Sequence, residues 1–175
     1  MDYGKRIAAL IGAAILGIAS QALAQETPKQ GGILRHAVEQ EVNTYDCHAT
    51  ATSFALQVLA PHYNTLLRFD PMEYPKVVGD LAESWEVSDD KLIYTFKLKQ
   101  GVTFHDGSAF DSADIKATFD RIRNPPEGIT SSRQGQWANI DTIETPDANT
   151  VVFKLNAPNP AQELLFASPW NCVFS

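Results

Sequence analysis

The sequence predicts a mixed α/β fold, and three observations carry that prediction. Leu92, Tyr94, Phe96 and Leu98 alternate with Ile93, Thr95, Lys97 and Lys99, and Val151, Phe153 and Leu155 alternate with Val152, Lys154 and Asn156. An apolar residue at every second position is the period of a strand with one buried face. Between these runs Ile115, Phe119 and Ile122 recur at helical spacing behind Asp111, so one stretch of chain alternates strands with a helix. The 175 residues, 44% hydrophobic and 20% charged, have the composition of a globular protein, which argues against a disordered tail or a multi-span membrane protein.

The N-terminus has a different character. Lys5 and Arg6 precede an apolar run from Ile7 to Ala19, and Ala22-Leu23-Ala24 follows with small residues two apart, the three-part pattern of a secretory signal peptide. The run is shorter than the roughly 20 residues a spanning helix needs, so residues 1–24 are expected to be cleaved after Ala24 and the product to be periplasmic. The net charge of −7 repels phosphate backbones and anionic lipid surfaces, which disfavours nucleic acid as a partner. Export also places Cys47 and Cys172 in an oxidising compartment. Bonding them would close a long loop and remove about 4 to 5 kcal/mol of unfolded-chain entropy. Two buried free thiols are the alternative.

Along the mature chain, residues 25–30 form a polar leader, and Gly31-Gly32 opens a short strand from Ile33 to Val38. Phe54, Leu56, Val58, Leu59, Tyr63, Leu66 and Leu67 fit a buried helix from Ser53 to Leu67, which Pro61 should kink or split. Trp85 and Val87 begin a hairpin that turns at Ser88-Asp89-Asp90-Lys91. Val102 and Phe104 extend the alternation past Gly101, and Asp106-Gly107 is a turn. Asp111 caps the helix that carries Ile115, with Asp114 at the third position, and Asn124-Pro125-Pro126 stops it. Glu127 to Gln136 is a polar loop, Ile140 and Ile143 start a second strand pair that turns at Pro146-Asp147-Ala148-Asn149, and Asn159, Pro160 and Gln162 begin a last capped helix. Trp170 to Ser175 resembles a buried strand that simply stops, so the chain is expected to be a fragment.

Generic catalytic patterns are missing: G-x-G-x-x-G, the phosphate-binding loop, H-E-x-x-H, C-x-x-C and G-x-S-x-G do not occur. Asp46-Cys47-His48 sets a thiol beside an imidazole, but adjacent side chains on an extended segment point apart. His36, His48, His62 and His105 match no standard metal spacing, so no metal and no cofactor is expected. His105-Asp106-Gly107 has a geometric reason to be a turn where a strand gives way to a helix.

The stretch from Leu81-Ala82-Glu83-Ser84-Trp85 through Tyr94-Thr95-Phe96-Lys97-Leu98 to Gly101-Val102-Thr103-Phe104-His105-Asp106-Gly107 is more specific. It resembles the signature of the family 5 extracellular solute-binding proteins, the oligopeptide, dipeptide and nickel receptors of ABC importers. Gly31-Gly32-Ile33-Leu34 is similar to the family's first strand, and Asp111-Ser112-Ala113-Asp114-Ile115 to its capped helix. Asn43-Thr44-Tyr45-Asp46 stands where the family usually has a leucine, an aspartate and then a proline, a proline that Cys47 replaces.

The resemblance implies a type II periplasmic-binding-protein fold, two-lobed in the whole family, of which this chain supplies part of the first lobe. Residues 25–61 and 167–175 would belong to the ligand-facing subdomain and residues 62–166 to an inserted peripheral α+β subdomain. It further implies a monomeric receptor that delivers a peptide or similar small solute to a permease in the inner membrane and catalyses nothing. The ligand-gripping loop would be His48, Ala49, Thr50, Ala51, Thr52 and Ser53, offering backbone groups to an extended ligand. Peptide, opine, sugar and nickel complex remain open as ligands. An exported hydrolase using Cys47 and a histidine, or a surface interaction module without a small ligand, are the competing classes.

Overall fold

The computed structural model describes residues 30–33 and 35–175, so the signal-peptide expectation lies outside the described residues. Among the described residues, six strands and three α-helices follow in order: α1 (Ser53–Leu59), β1 (Leu67–Phe69), β2 (Val77–Gly79), β3 (Ala82–Val87), β4 (Ile93–Leu98), α2 (Ser112–Arg123), β5 (Ile140–Asp147), β6 (Thr150–Leu155) and α3 (Gln162–Phe166). Short 3-10 turns at Gln134–Trp137 and Pro169–Asn171 complete the list.

The alternating runs build an antiparallel sheet in the order β3-β4-β6-β5. Register sets Phe96 opposite Trp85 on one side and Val151 on the other, and Tyr94 opposite Phe153. Both hairpin turns are closed by aspartate. Asp90 Oδ1 accepts from the Leu92 amide at 3.1 Å and the Ser88 hydroxyl at 2.5 Å, and Asp147 accepts from the Asn149 amide at 2.8 Å and the Thr150 hydroxyl at 2.9 Å. The carboxylate supplies the acceptor that the tight backbone lacks.

Helix α2 lies across the apolar face. Asp111 accepts from the Ala113 amide at 2.7 Å while Asp114 accepts from the Asp111 amide at 2.9 Å, a reciprocal capping box. The Ser112 amide and hydroxyl then donate to Ala148 O (2.9 Å) and Asp147 O (2.6 Å), which ties the helix start to the β5–β6 turn. Ile115, Phe119 and Ile122 are fully buried. Phe119 meets Trp137, Phe153 and Phe166 edge-on at centroid distances of 4.8, 5.0 and 5.9 Å, and Phe166 meets Phe96 at 4.9 Å. Such pairs add about 0.5–1.5 kcal/mol each beyond their area. This aromatic knot fixes the position of α2, and through α2 the position of everything that α2 holds.

Four local expectations need correction. Residues 30–33 and 35–38 are exposed and form no strand among the described residues, since no partner strand there offers them a ladder. The buried helix ends at Leu59, because Pro61 has no amide to continue it. Leu66 and Leu67 are buried instead at the start of the two-stranded β1–β2 ribbon, which was not foreseen. Asn159 Oδ1 does accept from Ala161 N at 3.0 Å, but the helix begins only at Gln162, whose Oε1 accepts from Asn139 Nδ2 at 3.0 Å. Finally, residues 172–175 are not a strand: the Val173 amide donates to Asn64 O at 3.0 Å and the Phe174 amide to Thr118 Oγ1 at 3.1 Å, so no ladder forms.

Phe96 sits at the centre of the buried face, whereas Thr95 on the same strand is only half-buried on the other side. Phe96→Ala is expected to cost about 3–5 kcal/mol by leaving a cavity, and Thr95→Ala well under half of that, as measured by urea denaturation. Equal losses would contradict this phase of β4.

Candidate functional site

The segment from Asp46 to Ser53 links the first described residues to α1 and divides into a buried base and an exposed rim. Cys47, His48 and Thr50 are buried, Ala49 is half-buried, and Ala51, Thr52 and Ser53 are exposed. The structure joins Cys47 to Cys172, with their Cα atoms 6.4 Å apart. The bond pins the loop base to the C-terminal segment, and both sulfurs are excluded from solvent.

Arg121, at the last turn of α2, organises the rest. Its guanidinium donates to both carboxylate oxygens of Asp46, at 2.5 and 3.3 Å, and to His48 Nδ1 at 2.6 Å. Because a guanidinium can only donate, Nδ1 must accept, and the imidazole proton resides on Nε2, which donates to Cys172 O at 2.9 Å. The ring edge packs on Phe174 with centroids 4.7 Å apart, and Arg121 Cζ lies 5.4 Å from the same ring's centroid. From another side, Ser132 donates its amide to His48 O (3.0 Å) and its hydroxyl to Ala49 O (3.2 Å). Helix α2, the 131–134 loop and the C-terminal segment thus all hold one short stretch of backbone.

Electrostatics follow from this packing. Burial holds the His48 imidazole below its usual range, and the Arg121 charge adds to that although the Cys172 carbonyl and Asp46 oppose it. Burial alone would raise the Asp46 carboxyl, but the Arg121 hydrogen bond, the His48 amide and the neighbouring positive charge outweigh it and keep Asp46 ionised below the ordinary range.

Cys47, His48 and Cys172 are also the one group of three potential metal ligands that lies close together among the described residues. Their sulfurs are bonded to each other and both ring nitrogens already have partners, so as it stands the group cannot ligate an ion or act as a thiol nucleophile. The ring of His48, placed by sequence in the ligand loop, is likewise directed inward. His105-Asp106-Gly107 is a turn, in which Asp106 accepts from the Ser108 amide and hydroxyl at 2.9 and 2.7 Å and Gly107 adopts φ 88°. His105 Nε2 is 2.9 Å from His62 O, beside a cavity of about 380 Å³ bordered by Phe104, Phe110 and Phe174. Arg121, Ser132, Arg133 and Trp170 were not singled out from sequence, and no local pattern marks them.

The sheet-and-helix unit has counterparts among known proteins. Residues 76–174 match the family model described as bacterial extracellular solute-binding proteins, family 5 Middle. Over 103 residues the chain is 44% identical to a Brucella ovis protein provisionally named an ABC transporter peptide-binding protein, covering 59% of this chain and 19% of that one. It is 35% identical over 139 residues to the glutathione-binding protein GsiB of Salmonella paratyphi A, covering 79% of this chain and 26% of GsiB. Among solved structures, AgaA from A. tumefaciens R10 in complex with agropinic acid superposes with a TM-score of 0.70 and 33% identity, over 77% of this chain and 26% of AgaA. The chain therefore belongs to the family 5 extracellular solute-binding proteins and has their mixed α/β fold. It spans about a quarter of the length of GsiB and of AgaA.

The burial of His48 as a neutral imidazole has a measurable consequence. With its folded-state pKa depressed, the unfolded chain takes up the His48 proton first as pH falls below about 6.5, so stability declines from there down to the folded-state value. Urea unfolding at pH 7 and pH 5 should show that His48→Gln removes a distinct part of the acid loss. An unchanged pH dependence in that variant would contradict a buried neutral His48.

Proposed function

We propose that this chain is the first-lobe portion of a periplasmic receptor that captures a small solute and delivers it to an ABC permease, without catalysis and as a monomer. Export through residues 1–24, and a ligand-facing subdomain of residues 25–61 and 167–175 flanking a peripheral subdomain of residues 62–166, form part of this reading. The observation that carries it is the exposed rim Ala51-Thr52-Ser53 on an anchored base, in a chain of a solute-binding family.

The reading divides the loop by role. Ala51, Thr52 and Ser53 would touch ligand, and His48, Ala49 and Thr50 would support them from below, the Ala49 amide and carbonyl being engaged by Asp46 O and the Ser132 hydroxyl, each at 3.2 Å. Thr50 Oγ1 and Thr52 Oγ1 are 3.0 Å apart, and the side chain of Thr52 makes no cap to α1. The backbone there is suited to pairing with an extended solute. Hinged closure supplies the logic of transport, because a closed state stabilised by ligand contacts from both lobes reports occupancy to the permease. Glutathione and agropinic acid, the solutes named for GsiB and AgaA, are the first ligands to try. An exported hydrolase is disfavoured by the engaged Cys47 and His48.

Titrating glutathione, agropinic acid and short peptides into the ¹⁵N-labelled chain tests this reading. At least one solute is expected to shift the amides of Ala49 to Ser53, weakly, since a single lobe supplies half of a cleft. Shifts confined to other surfaces, or none with any of these solutes, would overturn it.

A further inference from the structure

The β3–β4 turn and the segment leading into α3 border a second cavity of about 380 Å³, which no residue of the Asp46–Ser53 loop lines. Val87, Pro158 and Pro160 form its apolar walls, and Lys91, Tyr94 and Glu163 bring a cation, a phenol and a carboxylate to it. Proline has a fixed φ and no amide to satisfy, so the two prolines make a wall that is formed before any ligand arrives. The volume lies within the usual range of small-molecule sites.

Three observations set this cavity apart. Lys91 and Glu163 carry opposite charges to it yet form no ion pair with each other, and Lys91 pairs with no described carboxylate although Asp89 and Asp90 precede it. Glu163 accepts from the Trp85 indole N–H at 2.8 Å through Oε1, which leaves Oε2 without a partner among the described residues. Second, Tyr94 retains only 3% of its exposure, and its hydroxyl has no hydrogen-bond partner among the described residues. A buried hydroxyl is ordinarily bonded. Burial and the Glu163 charge both push the Tyr94 phenol up, so it stays a donor. Third, Lys91 holds φ 61°, the one left-handed residue other than glycine among the described residues. Glycine adopts that conformation without steric cost, and other residues held in it cluster at functional sites.

We infer that this cavity is a solute site of its own, separate from the loop before α1, and that it takes a free α-amino acid with a small apolar side chain. In this arrangement the ammonium group meets Glu163 Oε2, the carboxylate meets Lys91 and the Tyr94 hydroxyl, and the side chain lies against Val87 and the two prolines. A zwitterion fits where a single ion does not. Either charge alone would meet a like charge across the cavity, whereas both together complement both walls. The phenol donor also gains the acceptor it lacks. Binding breaks no covalent bond and moves no proton, and the site does not rest on the receptor reading of the loop.

NMR titration of the intact ¹⁵N-labelled chain with L-valine tests this, with N-acetyl-L-valine, which lacks the ammonium, and L-valinamide, which lacks the carboxylate, as parallel probes. L-Valine is expected to shift the amides of Lys91, Tyr94 and Glu163 saturably, and each one-charge analogue to bind about tenfold more weakly or worse. Lys91→Gly removes the cation at a backbone position that glycine accepts, so its spectrum should stay native elsewhere while L-valine affinity falls by a similar factor. Tyr94→Phe, which removes only the hydroxyl, should weaken binding several-fold. No saturable shift at these amides, equal binding of either analogue, or undiminished L-valine affinity in Lys91→Gly would overturn the inference. Shifts of Ala51 to Ser53 with none at Lys91 and Tyr94 would overturn it too, and would leave the receptor reading standing.

Discussion

The guanidinium of Arg121 is the interaction on which the position of the loop before α1 depends. It bridges a carboxylate, Asp46, and an imidazole, His48, that lie on the same short segment, and it reaches them from a helix whose own position is fixed by the aromatic core. The side chains of Arg121 and Asp46 retain 27% and 24% of their exposure, enough water to soften the desolvation cost yet too little to screen the pair completely. Removing the guanidinium would leave a buried ring nitrogen without its partner and the half-buried Asp46 carboxylate with the His48 amide, at 3.0 Å, in place of three donors. Uncompensated groups of that kind are costlier than the hydrogen bonds are favourable.

The disulfide acts on the same segment by a different physical route. It restricts the unfolded chain, whereas the Arg121 network and the His48–Cys172 hydrogen bond act on the folded state. Together they turn a stretch with little regular structure into a rigid base, and if the proposed role of the loop holds, that rigidity lowers the ordering cost a ligand must overcome. Exposed Ala51, Thr52 and Ser53 then ride on fixed backbone, with α1 continuing directly from Ser53.

What the sequence made legible is what local chemistry encodes. The β3–β4 and β5–β6 hairpins, the Asp111 cap and the Ile115-Phe119-Ile122 stripe each follow from neighbours within a few residues, and the structure reproduces them. The short β1 and β2, three residues apiece, carry too few alternations to stand out, and the run after Trp170 looks like a strand because its side chains are buried, although its backbone bonds go elsewhere. The site divides in the same way. Asp46, Cys47 and His48 attract attention as adjacent reactive residues, but their roles are set by Arg121, 73 residues from His48, and by Cys172, 125 residues from Cys47. Nothing in the polar pattern near residue 121 distinguishes an anchor from an ordinary basic residue at a helix C-terminus.

The central claim is that the loop before α1 is held rigid from below by Arg121. Native-state hydrogen exchange at the amides of His48 to Ala55, in the wild-type chain and in Arg121→Met, tests it most directly. Protection should fall at least tenfold in the variant at the loop amides, while Phe96, Val151 and Phe153 in the sheet keep theirs to within a factor of about three, or about 0.6 kcal/mol. Loop protection that survives the substitution, or a loss shared equally by the whole sheet, would contradict it.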